Sequence, residues 1–230
     1  MWLTEMGLTI LSQMYLFLMT TRMYFITLPP PIIYEAVDLG LPSGTLWASQ
    51  NVGARKPSDI GLYFQWGDTV GYTKEEIKAG KKIFNWANYK WSINGSSSNF
   101  SKYKTPRAKL EMEDDAAHVN MGGDWCMPTP DQIEELINNT TNTWTTQDGA
   151  NGRLFTSKTD TSKSIFIPAA GYAWDDSVYY SGDGGCFWSS MLNTGHASHG
   201  KSFMFGSDSA YLDYNGRSKG YSIRGIIRNY

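Results

Sequence analysis

The pattern of apolar and polar positions changes near residue 33. Residues 6–28 are rich in Met, Leu, Ile, Phe and Tyr, and Pro29, Pro30 and Pro31 end the stretch. Its longest uninterrupted apolar run, Met14–Met19, is far shorter than the roughly 20 residues that a bilayer-spanning helix needs. The pattern therefore predicts no membrane span.

The same segment is also a poor signal peptide. Glu5 stands where a positive charge is expected, and no small-x-small cleavage site follows the apolar stretch. Exposed apolar segments tend to aggregate, so the segment is expected to pack on something. We expect residues 1–33 to be an assembly arm that docks on another chain, with the three prolines as a stiff spacer. An additional strand or helix on the chain's own core is the alternative.

From residue 34 onward the pattern predicts short strands joined by long loops rich in Gly, Asn and Ser. Alternation or continuous apolar runs predict strands at 34–39, 154–157, Ser164–Pro168, 201–206 and 221–227. Phe203 and Phe205 are expected to point inward. Residues 92–101 are predicted to form an exposed loop.

The clearest helix is predicted over residues 129–138. Thr129 is a suitable N-cap, Pro130 occupies the first helical position, and Ile133, Leu136 and Ile137 form one apolar face. A mixture of this helix with several short strands predicts the α+β class.

Composition and charge exclude some functions. Aromatic residues make up 14% and hydrophobic residues 41% of the chain, so a buried core is expected rather than disorder. The net charge is −2, and the basic residues between 78 and 109 lie close to acidic ones, which leaves no basic face for nucleic acid. Cys126 and Cys186 are too far apart in sequence for C-x-x-C chemistry. One disulfide bond and two buried thiols are equally compatible with the sequence.

The common catalytic motifs are absent from the sequence, including G-x-S-x-G, H-E-x-x-H and the glycine-rich nucleotide-binding loops. His196 and His199 have H-x-x-H spacing but lie in a Gly/Ser-flanked segment, which favours loop histidines over a metal pair. Asp114-Asp115 and Asp175-Asp176 could attract calcium, yet neither follows an EF-hand pattern. No metal or cofactor is therefore predicted.

Several stretches together resemble the Fibrobacter succinogenes major paralogous domain, a family of gut Bacteroidetes and their phages. They cover most of the chain after residue 34: 37–49 (VDLGLPSGTLWAS), 51–54 (NVGA), 61–69 (GLYFQWGDT), 114–117 (DDAA), 123–129 (GDWCMPT), 134–137 (EELI), 165–172 (IFIPAAGY), 187–190 (FWSS) and 217–224 (RSKGYSIR). The segment before residue 34 lies outside the resemblance.

The resemblance implies a fold similar to the formylglycine-generating-enzyme branch of C-type-lectin-like domains. This would be a compact α+β domain at 34–230 with few regular elements, in which α-helix 129–138 packs on a small sheet that contains the closing strand 221–227. Large side chains would fill its core and two arginines would hold its last strand: Trp47, Trp66, Trp125, Trp188, Arg217 and Arg224. The enzymes of that branch use a reactive cysteine pair near the chain end, and Cys126 and Cys186 depart from that arrangement. No enzymatic activity is therefore expected.

In this branch, the segment between the Trp-Ser-Ser motif and the last arginine-bearing strand resembles a ligand-facing surface, which in some members is diversified by retroelements. Here residues 191–215 have the Ser, Gly, Asn, Asp, Tyr and His composition of antibody loops. The predicted ligand contacts are His196, Ser198, His199, Asp208, Tyr211, Asp213, Tyr214 and Asn215. The alternative is an ordinary Gly/Ser-rich connection, which would have the same composition.

The expected function is a non-enzymatic ligand-binding or adhesion module. It would belong to a fibre or decoration protein of a gut Bacteroidetes phage, attached through residues 1–33 to the virion or to copies of itself. The ligand would be a carbohydrate or protein on a bacterial surface, and the protein would reside on the virion or at a cell surface. A bacterial cell-surface or pilus-associated adhesin is the first alternative, and an enzyme of the formylglycine-generating type is the second.

Overall fold

The computed structural model describes residues 14–19, 22–27 and 30–228. The chain divides into two compact units, residues 1–33 and 34–230. In the first unit, strands β1 (Met14–Met19) and β2 (Arg22–Thr27) pair in antiparallel fashion, with Met14 opposite Thr27. Within the predicted assembly arm, residues 1–13, 20–21 and 28–29 lie outside the described residues.

The second unit is built from small antiparallel sheets. Its strands are β3 (Ala36–Asp38), β4 (Leu46–Ala48), β5 (Thr140–Gln147), β6 (Ala150–Ser157), β7 (Ser164–Pro168), β8 (Tyr172–Trp174), β9 (Ser177–Tyr179), β10 (Gly185–Leu192), β11 (His199–Phe205), β12 (Ala210–Gly216) and β13 (Ile226–Ile227). They form the sheets β13-β4-β3, β5-β6-β7, β10-β11-β12 and β8-β9. The helices described are α1 (Lys74–Lys78), α2 (Ala116–Met121) and α3 (Pro130–Asn139).

The predicted α+β class is wrong, and so is the picture of a C-type-lectin-like domain with few regular elements. The described residues are mainly β, because stretches that the sequence pattern assigned to loops pair as short antiparallel strands. In particular, most of the segment 191–215 belongs to β11 and β12 and the end of β10. Of the described helices, α1 and α2 are 5 and 6 residues long, and only α3 is a longer element.

Helix α3 confirms the helix predicted over 129–138. Thr129 is its N-cap and forms a reciprocal capping box with Gln132, and Pro130 lies in its first turn. Ile133 and Leu136 are buried in the same core cluster as Phe203 and Phe205. Both phenylalanines point inward, as predicted. One face of the β10-β11-β12 sheet therefore packs against α3 and the core.

The predicted position of α3 against the closing strand is wrong. The segment 221–227 is a strand only at β13, which pairs with β4 in a different sheet. Tyr221 and Ser222 make single bridges to Phe64 and Phe187 instead. The closing segment therefore pairs with several separate segments of the chain. Helix α3 packs against β5 and the β10-β11-β12 sheet.

The four tryptophans that the resemblance placed in the core are buried. Trp66 donates its indole N–H to the Ser189 carbonyl oxygen at 2.9 Å, and Trp188 donates to that of Phe64 at 2.8 Å. Trp188 also stacks on Tyr221 with ring centroids 4.1 Å apart. Trp47 is fully enclosed and Trp125 nearly so. Each ring fills a space between loops, which suits a core with little helix.

Arg217 and Arg224 are buried without a carboxylate partner. Arg224 donates to Asn51 Oδ1 and to the carbonyl oxygens of Ala48 and Phe166, each at 2.9 Å. Arg217 donates to the Tyr103 carbonyl oxygen at 2.9 Å, and its guanidinium lies 3.8 Å from the Phe100 ring centroid. Hydrogen bonds thus stabilise both charges, and an aromatic face also stabilises that of Arg217.

Candidate ligand-binding site

Strand β12 presents alternate residues to two different surfaces. Ala210 and Leu212 pack against the core on the α3 side of the sheet. Strand alternation then turns Tyr211, Asp213 and Asn215 to the other face. These residues were predicted as ligand contacts, and the strand aligns them in one row that we call the β12 row.

One end of the β12 row opens into a cleft of about 380 Å³, the tyrosine cleft. The residues that line it include three tyrosines, two aspartates and the apolar Cys186 and Met204: Tyr172, Tyr180, Tyr211, Asp183, Asp208, Cys186 and Met204. Tyr180 is 66% exposed and Tyr211 is 47% exposed. Exposed tyrosines around a cleft of this size are typical of ligand sites.

The other end of the row borders a second cleft of about 330 Å³, the lysine cleft. It is lined by aromatic, hydroxyl, amide and basic residues: Trp86, Ser97, Trp174, Ser198, His199, Asn215, Gly216, Ser218 and Lys219. Lys219 donates to Asn215 Oδ1 at 3.2 Å, and its ammonium lies 4.7 Å from the Tyr172 ring centroid. Because Tyr172 lines the tyrosine cleft, Lys219 and Tyr172 connect the two clefts. Burial lowers the pKa of Lys219.

The histidines lie beside the lysine cleft. His199 Nδ1 is 2.9 Å from Ser198 Oγ, and the His196 and His199 ring centroids are 5.9 Å apart. Burial, and then the nearby charges of His196 and Lys219, lower the pKa of His199. This geometry makes His199 a neutral hydrogen-bonding group at physiological pH rather than a cation.

Strand alternation separates Tyr214 from Tyr211, Asp213 and Asn215, the other predicted contacts on β12. Tyr214 projects on the face opposite the β12 row, where its ring lies 5.7 Å from that of His199 and 5.8 Å from the Lys201 ammonium. Tyr211 and Tyr214 therefore do not form one hot spot. The structure brings Ser198, His199, Asp208, Tyr211, Asp213 and Asn215 to the two clefts and the row between them.

Several cleft residues were missed from the sequence because they come from other parts of the chain. They are Trp86, Tyr172, Trp174, Tyr180 and Lys219. The available signal was the aromatic-rich run after Gly171, in which a β8-β9 hairpin delivers adjacent tyrosines to the surface. The ring of Tyr172 stacks on those of Tyr179 and Tyr180, with centroids 5.6 and 6.0 Å away.

The backbone of Tyr180 is strained. Its φ of +55° lies in the left-handed region, which bulky side chains rarely adopt. Its carbonyl oxygen accepts hydrogen bonds from the Asp183 and Gly184 amides at 3.0 and 3.1 Å, so a tight turn fixes this conformation. Strain of this kind concentrates at functional sites, and here it directs a tyrosine ring to the tyrosine cleft.

Cys126 and Cys186 are both free and buried. Burial raises the pKa of the Cys186 thiol to about 12 and also raises the pKa of Cys126. The sequence was compatible with one disulfide bond or with two buried thiols, and the structure contains two buried thiols.

The acidic residues at 111–115 are engaged by the protein itself. Glu111, Glu113 and Asp114 are close enough to hold a metal ion, and they form the one such group among the described residues. However, the Lys102 ammonium lies 2.6 Å from Asp114 and 3.3 Å from Glu113, and it also contacts Glu111. Asp115 caps α2 and accepts the Met127 amide at 2.8 Å. The carboxylates at 111–115 are therefore better suited to bind the Lys102 ammonium than a calcium ion.

Each residue of the Asp175-Asp176 pair accepts a hydrogen bond from another side chain of the protein. Asp176 accepts the Ser177 hydroxyl at 3.0 Å, and Asp175 accepts the Asn85 amide at 3.4 Å.

Among the helices that the structure describes, none has the length and apolar character needed to cross a membrane.

Comparison with protein families gives a match to one family, described as "Domain of unknown function (DUF8237)", over residues 135–225. This range runs from α3 to the closing segment and contains the β12 row, all eight predicted ligand contacts and the three tyrosines of the tyrosine cleft. No curated protein matches the chain. No solved structure matches it either.

Proposed function

We propose that residues 34–230 are a non-enzymatic ligand-binding module whose ligand lies along the β12 row. The observation that carries the proposal is the alignment of Tyr211, Asp213 and Asn215 between two clefts on one face of a strand. Tyr211 and Asn215 are four residues apart, which is about 13 Å along a strand. A ligand with two recognition groups at that spacing could occupy both clefts.

The chemistry of this surface supports recognition of a ligand. Tyrosine offers rigid contact area with one polar atom, and Ser, Asn and Asp add hydrogen bonds that adapt to the partner. Large aromatic residues elsewhere in the domain are mostly buried, whereas Tyr180 and Tyr211 remain exposed at the tyrosine cleft. Rigid aromatic anchors at a cleft are the side chains that dominate binding energies in protein interfaces.

The side chains at the clefts favour binding over catalysis. Cys186 is the thiol that lines the tyrosine cleft, and burial keeps it protonated at physiological pH. The residues lining that cleft include no histidine. At the lysine cleft, Ser198 Oγ lies 2.9 Å from His199 Nδ1, but the lining residues include no carboxylate that would orient His199 as a base for that hydroxyl.

The setting that we propose follows from the resemblance and from the separate N-terminal unit. Residues 34–230 would be the receptor-binding part of a phage fibre or decoration protein, and residues 1–33 would attach it to the particle. The ligand would be a carbohydrate or protein on a bacterial surface. Immunogold electron microscopy of the native source would show the chain on particles, and labelling confined to cell interiors would contradict this setting.

A binding screen tests the recognition surface. The full chain carrying a fluorescent label would be applied to glycan and peptide arrays in parallel with the Tyr211→Ala variant. We expect hits of the unaltered protein to be weakened by at least about tenfold, because Tyr211 is an exposed aromatic anchor. Tyr214→Ala is the matched control, since Tyr214 has nearly the same exposure on the opposite face. Hits that depend on Tyr214 and not on Tyr211 would contradict the proposal.

A further inference from the structure

The charged residues that line the tyrosine cleft are of one sign. Asp183 and Asp208 line it, and its lining residues include no Lys, Arg or His. Both carboxylates are exposed. Arg153 lies near Asp208, but it donates to the carbonyl oxygen of Gly206 at 2.7 Å and is buried behind the loop. The cleft therefore presents negative charge to a ligand.

Aromatic rings and an apolar floor accompany this charge. Tyr180 and Tyr211 offer exposed ring surface, and Cys186 and Met204 form the apolar part of the lining. Ring faces attract cations because their quadrupole is negative over the face. Tyr172 already has the Lys219 ammonium 4.7 Å from its ring centroid, so Tyr180 and Tyr211 are the rings left for a cation from outside.

Building on the proposed function, we propose that the tyrosine cleft binds a methylated ammonium group of the ligand. A trimethylammonium group has no N–H donor to satisfy, and its methyl groups fit an apolar floor with a polarizable Met204. Its positive charge is complemented by Asp183 and Asp208 without a need for short hydrogen bonds. The same chemistry occurs in choline head groups and in trimethyllysine side chains.

Calorimetric titration of the full chain tests directly whether the positive charge of the ligand contributes to binding. Choline chloride is compared with 3,3-dimethylbutan-1-ol, which has the same shape with a carbon atom in place of the nitrogen. We expect saturable choline binding and an affinity about tenfold lower for the neutral alcohol. Tyr180→Ala and Asp208→Asn should each weaken choline binding several-fold, and Tyr214→Ala should leave it unchanged.

Two further titrations distinguish the sources of the group. Phosphocholine and a short peptide with one trimethyllysine are compared at the same ionic strength, and the tighter binder identifies the source. Equal affinity for choline and the neutral alcohol, or no saturable choline binding, would overturn this inference. The proposed function would still stand in that case if array hits depended on Tyr211. Array hits that did not depend on Tyr211 would contradict the proposed function instead.

Discussion

The ring of Tyr180 stacks on that of Tyr172 with centroids 6.0 Å apart, although the Tyr180 backbone has a φ of +55°. A glycine would adopt this backbone conformation without a steric penalty, so the tyrosine is retained there at a cost to stability. The side chain is two-thirds exposed, and the core gains little from it. A role at the surface of the tyrosine cleft accounts for its presence.

Tyr180→Gly should therefore separate stability from binding. Relief of the left-handed strain offsets the lost stacking with Tyr172, and we expect the free energy of unfolding to change by less than about 1 kcal/mol. Ligand affinity should fall, because the exposed ring is gone. Chemical denaturation and the array screen measure the two effects. A large loss of stability would show that Tyr180 is a packing residue.

Arg224→Lys should strongly destabilise the domain. Arg224 is buried and makes three hydrogen bonds of 2.9 Å with a planar guanidinium. An ammonium cannot reproduce that geometry and leaves buried acceptors unpaired, so we expect a loss of about 3 kcal/mol. The matched control is Arg107→Lys at an exposed position, which should change stability by less than about 0.5 kcal/mol. Urea denaturation distinguishes the two outcomes, and similar values for both variants would contradict the assignment.

Asp114→Asn should destabilise the domain at neutral pH and lose its effect in acid. Burial alone would raise the pKa of Asp114, but hydrogen bonds from Lys102, Tyr103 and Lys90 outweigh it and lower the pKa. A carboxyl with a lowered folded-state pKa stabilises the fold above its unfolded pKa of about 4, and this contribution disappears as the pH falls through the folded value.

We therefore expect Asp114→Asn to cost about 1 to 3 kcal/mol at pH 7 and progressively less below about pH 4. Glu113→Gln is the control. Glu113 shares Lys102 but is 75% exposed, so its effect should stay below about 0.5 kcal/mol. A cost for Asp114→Asn that does not change with pH would mean that packing, and not charge, holds Asp114 in place.

Neither cysteine should react readily in the folded protein. Both thiols are buried, and the raised pKa of each leaves little thiolate at pH 8. Treatment with a thiol reagent should label both cysteines in denaturant and neither within minutes under native conditions. Rapid native labelling of Cys186 would indicate an accessible, activated thiol. That result would support the alternative of an enzyme of the formylglycine-generating type.

Local signals were enough to predict α3 and several strands. Thr129, Pro130 and the apolar spacing that follows fix a helix within one segment of chain, and the structure confirms it. Strand β5 was missed, although its threonines and the following Asp148-Gly149 turn are a recognisable hairpin signal. Both turn residues have positive φ, +48° and +80°, as that hairpin turn requires.

Other features depend on contacts between distant segments, which local patterns do not contain. The closing segment reads as one strand, yet Tyr221 bridges to Phe64 and Ile226 to Trp47 and Cys126. Likewise, the loop-like composition of residues 191–215 places Tyr211 and Tyr214 together among the predicted ligand contacts. Once residues 210–216 form a strand, alternation places these two tyrosines on opposite faces.

The central claim is that the β12 row, and not the opposite face of the same strand, binds the ligand. The most direct test is the dissociation constant of the strongest array hit, measured for the full chain and for Tyr211→Ala and Tyr214→Ala separately. We predict that Tyr211→Ala raises the dissociation constant at least about tenfold and that Tyr214→Ala changes it less than about twofold, with unchanged melting curves for both. The reverse order, or two equal effects, would contradict the account.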